Sequence, residues 1–72
     1  MFTVYILKSE KDGKLYIGYT NNLRRRFNEH NSGMSKSTKW RGPLVLIYYE
    51  AYRSERDAMI REQKLKQFKN SY

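Results

Sequence analysis

Two tyrosines, an arginine and a histidine of this sequence are spaced at intervals that suit a single site. Tyr16 lies eleven residues after Tyr5. Arg26 follows ten residues later, and His30 comes one helical turn after that arginine. A tyrosine with a pKa of about 10 acts as a base near neutral pH only where neighbouring positive charge lowers that pKa. The fork of an arginine matches the geometry of phosphate oxygens and stays charged. These residue types suit a phosphate group as the ligand.

The phase of the predicted first helix distinguishes the three consecutive arginines at positions 24 to 26. At about 100° per residue, Leu23 and Phe27 define a buried stripe that includes His30. Arg26 lies about 60° to one side of that stripe and shares a face with His30. Two arginines point away from it: Arg24 and Arg25. The alternative is that all three arginines form a solvated cationic face and that His30 is a half-buried packing residue.

A glutamate interrupts the apolar stripe of the predicted last helix. Ala58, Leu65 and Phe68 mark the inner face of that helix, and Glu62 falls within it. A buried carboxylate needs a partner, which is either an arginine in a structural ion pair or a divalent cation. Both interpretations are open on the sequence pattern alone. For the tyrosines, likewise, ordinary packing in a strand is the alternative to a chemical role.

A β-hairpin is predicted where two β-branched and aromatic runs, residues 2–8 and 14–20, flank the turn-forming SEKDG. Tyr5 and Tyr16 point to the same face of this hairpin only if its loop has an even number of residues. A two-residue turn would separate the two tyrosines by roughly 13 Å, whereas a four-residue loop from Glu10 to Gly13 places them diagonally, roughly 7 to 8 Å apart. We therefore predict the four-residue loop.

The remaining elements complete an α+β fold with a small three-stranded antiparallel sheet. The asparagine pair after the hairpin supplies the N-cap of a helix over residues 23–31. The run LVLIYYEAY after Pro43 predicts a third, largely buried strand. Ser54 and Asp57 form a capping box that opens the last helix, which is predicted to end near Lys69. The order of elements is ββαβα.

The composition indicates one soluble domain with an affinity for polyanions. The 72 residues suffice for a single domain over residues 1–72, and the absence of cysteine excludes a disulfide framework. The apolar run in MFTVYILK is too short for a signal peptide or a membrane span, so a cytoplasmic protein is predicted. Fifteen lysines and arginines against seven acidic residues give a net charge of +8, which favours nucleic acid as the partner. The alternative is that this charge only keeps a small protein soluble.

The sequence resembles the GIY-YIG nuclease domain over most of its length. The resemblance is strongest in YIGYTNNLRRRFNEH and in REQKLK. It looks most like the small stand-alone bacterial members, which are related to the N-terminal nuclease domain of the excision-repair nuclease. The resemblance implies that Tyr5 and Tyr16 are the two motif tyrosines and that Gly18 is the motif glycine. The first motif departs from the family, because Thr3 and Val4 stand in place of its glycine and isoleucine.

The resemblance also implies a reaction and a set of roles. The reaction is single-metal hydrolysis of phosphodiester bonds in DNA, with RNA as a second substrate class, guided by structure rather than by sequence. Arg26 would be the catalytic arginine, His30 its neighbour, and Glu62 the ligand of one Mg²⁺ or Mn²⁺. The implied catalytic set is Tyr5, Tyr16, Arg26, His30 and Glu62. Either tyrosine can serve as the base.

A basic surface is predicted between residues 24 and 41, where six lysines and arginines accompany one acidic residue. The cations would hold phosphates, and Trp40 would stack on an unpaired base. The predicted nucleic-acid-binding residues are Arg24, Arg25, Lys36, Lys39, Trp40 and Arg41. The alternatives are that Trp40 covers the small core and that the basic loop is merely solvated.

Two other functions stay open beside the metal-dependent nuclease. One is a nucleic-acid-binding module that keeps the fold but has lost turnover, and the other is a small basic protein that contacts another protein. A protein partner that presents the substrate is also compatible with the nuclease. Metal-dependent cleavage separates the first two functions, and the absence of nucleic-acid binding points to the third.

Overall fold

Three strands and two helices make up the computed structural model, which describes residues 1–32 and 43–70. The strands are β1 (Phe2–Ser9), β2 (Leu15–Thr20) and β3 (Leu44–Tyr52), and the helices are α1 (Leu23–Asn31) and α2 (Glu55–Asn70). The order ββαβα and the α+β class confirm the sequence prediction. Neither α1 nor α2 is long and apolar enough to cross a membrane.

The sheet is antiparallel with the strand order β2-β1-β3, so the first strand of the chain is the central one. In the hairpin, Leu7 pairs with Tyr16 and Tyr5 pairs with Gly18. The Ser9 amide donates to the carbonyl of Lys14 over 2.9 Å, which leaves four residues in the loop. The predicted loop length is therefore confirmed, and the two tyrosines share one face of the sheet.

β3 is an edge strand whose apolar side chains are largely exposed, so the prediction of a largely buried strand was wrong. Its exposed residues include Val45, Ile47, Tyr48 and Tyr49. The continuous apolar run is typical of a strand covered on both faces. That pattern did not reveal that β1, with Val4 and Leu7 fully buried, takes the central position instead. The pairing of β3 with β1 is also irregular between Ile6 and Leu7, which indicates a bulge at this edge.

The core joins β1, the start of β3 and one side of α1. Tyr5, Leu7 and Leu44 are buried together, and Leu23 and Phe27 of α1 pack against them. The far end of α1 is fixed to the sheet by Asn31, whose side-chain amide donates to the carbonyl of Leu44 over 3.1 Å. The amide of Leu44 donates back to Oδ1 of Asn31 over 2.8 Å. Because both bonds involve the backbone of β3, they set the distance between α1 and the sheet.

Both helices begin with side-chain caps. Oδ1 of Asn22 accepts from the amide of Arg25 over 3.1 Å, and Oγ of Ser54 accepts from the amide of Asp57 over 3.3 Å. Each cap satisfies one of the amides that a helix leaves unpaired in its first turn. The helix α2 ends at residue 70, one residue beyond the prediction.

The helix α2 is held against the sheet near its middle. Ala58 is fully buried, and the side chain of Arg61 donates to Oε1 of Glu50 on β3 over 2.9 Å. The predicted inner stripe fails at Phe68, which is 66% exposed. At about 100° per residue, Phe68 lies about 80° from Ala58 around the helix, at the margin of the buried stripe rather than at its centre.

Candidate active site

A cavity of about 490 Å³ opens between the hairpin, α1 and α2. All five predicted catalytic residues line it, and they come from four different elements of the chain. The lining residues are Tyr5, Tyr16, Ile17, Gly18, Tyr19, Arg26, His30, Glu62, Lys66 and Lys69. The fold therefore gathers residues as far apart in the sequence as Tyr5 and Lys69 around one space.

A buried tyrosine–histidine pair lies on the wall of the cavity that β1 and α1 form. Tyr5 and His30 are 4% and 5% exposed, and the tyrosine oxygen lies 3.0 Å from Nε2 of the imidazole. The hydroxyl donates in this bond when the imidazole proton is on Nδ1. The rings meet edge to face, with centroids 5.9 Å apart. His30 is therefore buried rather than half-buried, and its hydrogen bond joins residues 25 positions apart in the sequence.

Gly18 makes room for the tyrosine of this pair. A Cβ at position 18 would lie 2.6 Å from the Tyr5 oxygen and 2.9 Å from the carbon that bears it. These distances are shorter than van der Waals contact, so a side chain here would displace the tyrosine. The glycine of the YIG sequence is therefore required for close approach, and the neighbour that approaches is the other motif tyrosine.

Both members of the buried pair favour their uncharged forms. Burial raises the pKa of Tyr5, although the nearby Arg26 guanidinium acts in the opposite direction. The carboxylate of Glu62 raises the pKa of Tyr5 further. Burial lowers the pKa of His30, and the positive charge of Arg26 lowers it as well. Passing the proton from oxygen to nitrogen within this pair would create a buried phenolate and a buried imidazolium, so the pair rests in its neutral form.

Arg26 places a guanidinium at the side of the cavity. Its Nη1 donates to Oε1 of Glu29, one turn along α1, over 3.1 Å. Burial works against the charge of Arg26, but hydrogen bonds with Glu29 and Tyr5 outweigh it and raise the pKa of the guanidinium. The side chain is 38% exposed, so its fork is accessible from the cavity. A fixed, permanently charged fork in this position suits a phosphate group.

Glu62 projects from α2 as the one carboxylate among the described residues that line the cavity. Its side chain is 16% exposed, and Oε1 lies 3.4 Å from Nζ of Lys66. The predicted alternative of an ion pair with an arginine is wrong for the described residues, because the neighbouring Arg61 pairs with Glu50 instead. Glu62 is thus a shielded carboxylate whose ion-pair partner is a flexible, half-exposed lysine.

The donor set fits a hard divalent cation that keeps most of its own water. Across residues 1–32 and 43–70, no cluster of three or more histidine, cysteine or acidic side chains is arranged to hold a metal. Mg²⁺ is commonly bound through one or two carboxylates, with water and substrate phosphate completing its octahedron. Glu62 can supply that single carboxylate, because it faces the same cavity as Arg26.

Two lysines of α2 belong to the cavity and were missed in the prediction from sequence. Lys66 lies beside Glu62, and Nζ of Lys69 lies 5.6 Å from the centre of the Tyr16 ring. A signal was present in the sequence, because positions 62, 66 and 69 fall on one side of a helix. The helical phase that predicts the burial of Glu62 thus also puts both lysines on its side of α2.

The predicted nucleic-acid surface is only partly described by the structure. Arg24 and Arg25 are exposed on α1, on the side away from the core, and they border a shallow groove that begins at Asn22. Four of the predicted contacts lie outside the described residues: Lys36, Lys39, Trp40 and Arg41. The role of each of these residues in binding stays a prediction.

Comparison with known proteins identifies the family to which this chain belongs. A family model described as "GIY-YIG catalytic domain" matches residues 1–72. The chain belongs to the GIY-YIG family. The two tyrosines that the sequence resemblance predicts to be its motif tyrosines share one face of the hairpin, and the predicted motif glycine is the one that admits the Tyr5 side chain.

Small bacterial relatives of this GIY-YIG chain share its sequence along most of its length. It is 48% identical over 64 residues to a UPF0213 protein of Clostridium perfringens, covering 88% of this chain and 68% of that protein. It is also 48% identical over 66 residues to a UPF0213 protein of Staphylococcus haemolyticus, covering 90% and 79%. The solution NMR structure of a UPF0213 protein from Bacillus halodurans aligns with a TM-score of 0.57 at 40% identity, covering 93% and 72%. The likeness of fold and sequence therefore extends together over this chain.

Proposed function

We propose that this GIY-YIG protein is a metal-dependent endonuclease that hydrolyses phosphodiester bonds in DNA. The observation that carries the proposal is the convergence of Tyr5, Arg26, His30 and Glu62 on one cavity. Each of these residue types meets a different requirement of the reaction, and the net charge of +8 supplies attraction for a polyanion. Recognition is structure-guided, with one Mg²⁺ or Mn²⁺ as cofactor, and a protein partner that presents the substrate is compatible with it.

The hydrogen-bonded pair of Tyr5 and His30 acts as the base. Water attacks phosphorus, a new phosphorus–oxygen bond forms, and the bond to the leaving oxygen breaks. As the water loses its proton to the Tyr5 oxygen, the hydroxyl proton of Tyr5 moves to Nε2 of His30 across the 3.0 Å bond. The relay leaves the proton on the imidazole, so Tyr5 need not persist as a buried phenolate. The relay thus avoids a phenolate on Tyr5, whose pKa burial raises, and places the charge on His30. Burial and Arg26 disfavour that imidazolium, and the negative charge that develops on the phosphate would offset this cost.

The remaining charges stabilise the phosphate as it reacts. Arg26 holds the non-bridging oxygens with its fork and carries full charge throughout, because Glu29 and Tyr5 raise its pKa. Glu62 would hold the divalent cation, which when bound neutralises phosphate charge, assists the leaving oxygen and reverses the local field that raises the pKa of Tyr5. Tyr16 lines the opposite part of the cavity, where its ring can contact the sugar or base beside the phosphate.

The test is cleavage of a labelled panel of duplex, branched and single-stranded DNA and of RNA, in Mg²⁺, in Mn²⁺ and in EDTA. We expect metal-dependent cleavage of at least one DNA structure under single-turnover conditions. Glu62→Gln should lower the rate by about a thousandfold or more, because an amide is a poor ligand for a hard cation. DNA affinity in EDTA should not fall, and it should rise where loss of the negative charge leaves the neighbouring lysine to bind phosphate.

The matched control is Glu55→Gln, which removes the same charge from the exposed first turn of α2. It should cleave at the parental rate. If the Glu62→Gln protein melts like the parent and still cleaves at the parental rate, Glu62 takes no part in the reaction and the proposed site is wrong. DNA binding without cleavage of any structure would instead identify a binding module that has lost turnover.

A further inference from the structure

Three charged residues of α2 form a stripe along the cavity: Glu62, Lys66 and Lys69. At about 100° per residue they fall within an arc of about 60° on the helix surface. Lys66 contacts the carboxylate of Glu62 at 3.4 Å, and Lys69 extends over the ring of Tyr16 at 5.6 Å. The stripe therefore runs from the proposed metal ligand to the side of the cavity lined by Tyr16.

The ion pair between Glu62 and Lys66 is easily exchanged. The lysine side chain is 51% exposed, so its ammonium has room to adopt other rotamers, whereas the Glu62 side chain is 16% exposed and has less room to move. Exposed pairs four residues apart on a helix contribute little to stability. By contrast, Arg61 and Glu50 join α2 to the sheet at 2.9 Å and do not line the cavity. The Glu62–Lys66 pair is therefore not needed to hold the fold.

We propose that Lys66 is a phosphate-binding residue that Glu62 restrains until a divalent cation takes the carboxylate. The inference rests on the proposed function, because the same carboxylate is the metal ligand there. A cation on Glu62 repels the ammonium of Lys66 and cancels the attraction that holds it 3.4 Å from the carboxylate. The released ammonium then binds a phosphate that flanks the scissile one, and Lys69 continues the same track beyond it.

This exchange has a consequence for the protein without metal. The pair presents no net charge to DNA, so Lys66 adds little to affinity while Glu62 holds it. Cation binding changes the same two residues into two positive centres, the bound cation and the free ammonium. Metal and DNA binding are thereby linked through Lys66 as well as through direct contact of the metal with phosphate.

The test is a double-mutant cycle on DNA affinity, read by fluorescence anisotropy with a short labelled duplex that carries a single-stranded tail. Lys66→Gln is made alone and together with Glu62→Gln, and affinities are measured in EDTA over a range of salt. Lys64→Gln is the matched control, because Lys64 is an exposed lysine of α2 that does not line the cavity. Thermal melts establish that all variants are folded.

We expect Lys66→Gln to weaken DNA binding less than about twofold in the protein that retains Glu62. In the Glu62→Gln background the same change should weaken binding about threefold to tenfold and reduce the salt slope by about one. Lys64→Gln should have the same effect in both backgrounds. In Ca²⁺, a hard cation with the same ligand preference, the Lys66→Gln loss in the protein with Glu62 should rise to the larger value.

Each other outcome overturns one specific statement. Equal effects of Lys66→Gln in both backgrounds mean that Glu62 does not restrain the lysine, although the protein binds DNA as proposed. If Lys66→Gln has the larger effect in the Glu62→Gln background, but Ca²⁺ does not enlarge its effect in the protein that retains Glu62, then a cation does not release Lys66. Failure of every protein to bind DNA, including the parent, contradicts the proposed function itself and removes the inference with it.

Discussion

The two walls of the cavity are built on opposite physical principles. The wall formed by β1 and α1 presents Tyr5 and His30, which are buried, uncharged and hydrogen-bonded to each other. The wall formed by α2 presents Glu62 and Lys66, which carry opposite charges and are joined by a longer contact that water can reach. The first wall fixes geometry, because moving either ring would leave a buried polar atom unpaired. The second wall can rearrange with little loss of stability.

Under the proposed function, this difference assigns separate tasks to the two walls. A proton transfer needs donor and acceptor held to within a fraction of an ångström, which the buried wall provides. Binding of a hydrated cation and a mobile phosphate chain needs side chains that can change partners, which the charged wall provides. Substitutions in the first wall should therefore affect both stability and rate, whereas those in the second should affect binding or rate alone.

Among substitutions outside α2, the largest effect is expected at Arg26, a charged and 38% exposed residue of α1 that lies beside the buried pair. Arg26→Lys keeps the charge and loses the fork, so we expect the single-turnover cleavage rate to fall about a thousandfold with little change in melting temperature. The control is Arg25→Lys on the exposed face of α1, which should cleave within about twofold of the parent. An Arg26→Lys protein with more than a tenth of the parental rate would show that point charge alone is sufficient.

Gly18→Ala tests how tightly the buried wall is packed. The new methyl would lie 2.6 Å from the Tyr5 oxygen, so the ring must move and its bond to His30 must lengthen or break. We expect the free energy of unfolding to fall by about 1 to 3 kcal/mol, measured by urea denaturation, and cleavage to fall with it. In a Tyr5→Phe background the added methyl meets one atom fewer, and the additional loss of stability should be smaller. If Gly18→Ala lowered the free energy of unfolding equally in both backgrounds, the added methyl would clash with atoms other than the Tyr5 oxygen.

The pH dependence of stability tests whether the buried pair is uncharged. The pKa of His30 is below its ordinary value of 6.5 because of burial and Arg26, so the unfolded chain binds a proton first as pH falls. Stability from this group is therefore complete above about pH 6.5 and is lost below it, with a slope of at most about 1.4 kcal/mol per pH unit. Urea denaturation between about pH 7.5 and 5.5 measures it. His30→Gln should flatten this part of the curve, and a slope that persists would have another origin.

The smallest effect is expected outside both walls, at Arg24. This side chain is exposed on the far side of α1, so Arg24→Ala should weaken DNA binding modestly and lower the salt slope by up to about 0.9. The rate at saturating enzyme should not change. The measurement is a salt titration of affinity paired with single-turnover cleavage. A lower cleavage rate at saturating enzyme would show that Arg24 contributes to the chemical step and not only to binding.

Local pattern was sufficient to predict the elements and the position of the two tyrosines. The turn residues, the N-caps and the parity of the hairpin loop all depend on neighbours a few residues apart, and each of them is confirmed. The burial of β3 depends instead on the order of strands in the sheet. An apolar run such as residues 44–49 is compatible with either a central or an edge position, so the sequence could not reveal that β1 lies in the centre.

The partners within the site were predictable only in part. Helix phase identified Arg26 and Glu62 because each lies at or inside an apolar stripe. It could not identify which cation would meet Glu62, since arginines and lysines lie at several positions within reach along α2. The hydrogen bond between Tyr5 and His30 also depends on the distance between α1 and the sheet. The two hydrogen bonds between the Asn31 side chain and the Leu44 backbone set that distance. Such distances follow from packing and not from spacing along the chain.

The hairpin loop carries a constraint that its exposure conceals. Surface turns usually accept insertions of any length, because nothing packs against the added residues. The loop at residues 10–13 sets which way every side chain of β2 points relative to β1. If the turn keeps four residues, one added or deleted residue shifts the pairing of β2 on β1 by one, which turns Tyr16 to the opposite face and brings Ile17 towards the tyrosine–histidine pair. A one-residue change in this turn therefore preserves the cavity only where the loop itself takes it up and Leu7 still pairs with Tyr16. Otherwise the protein would still fold, with Tyr16 on the wrong face for the proposed activity.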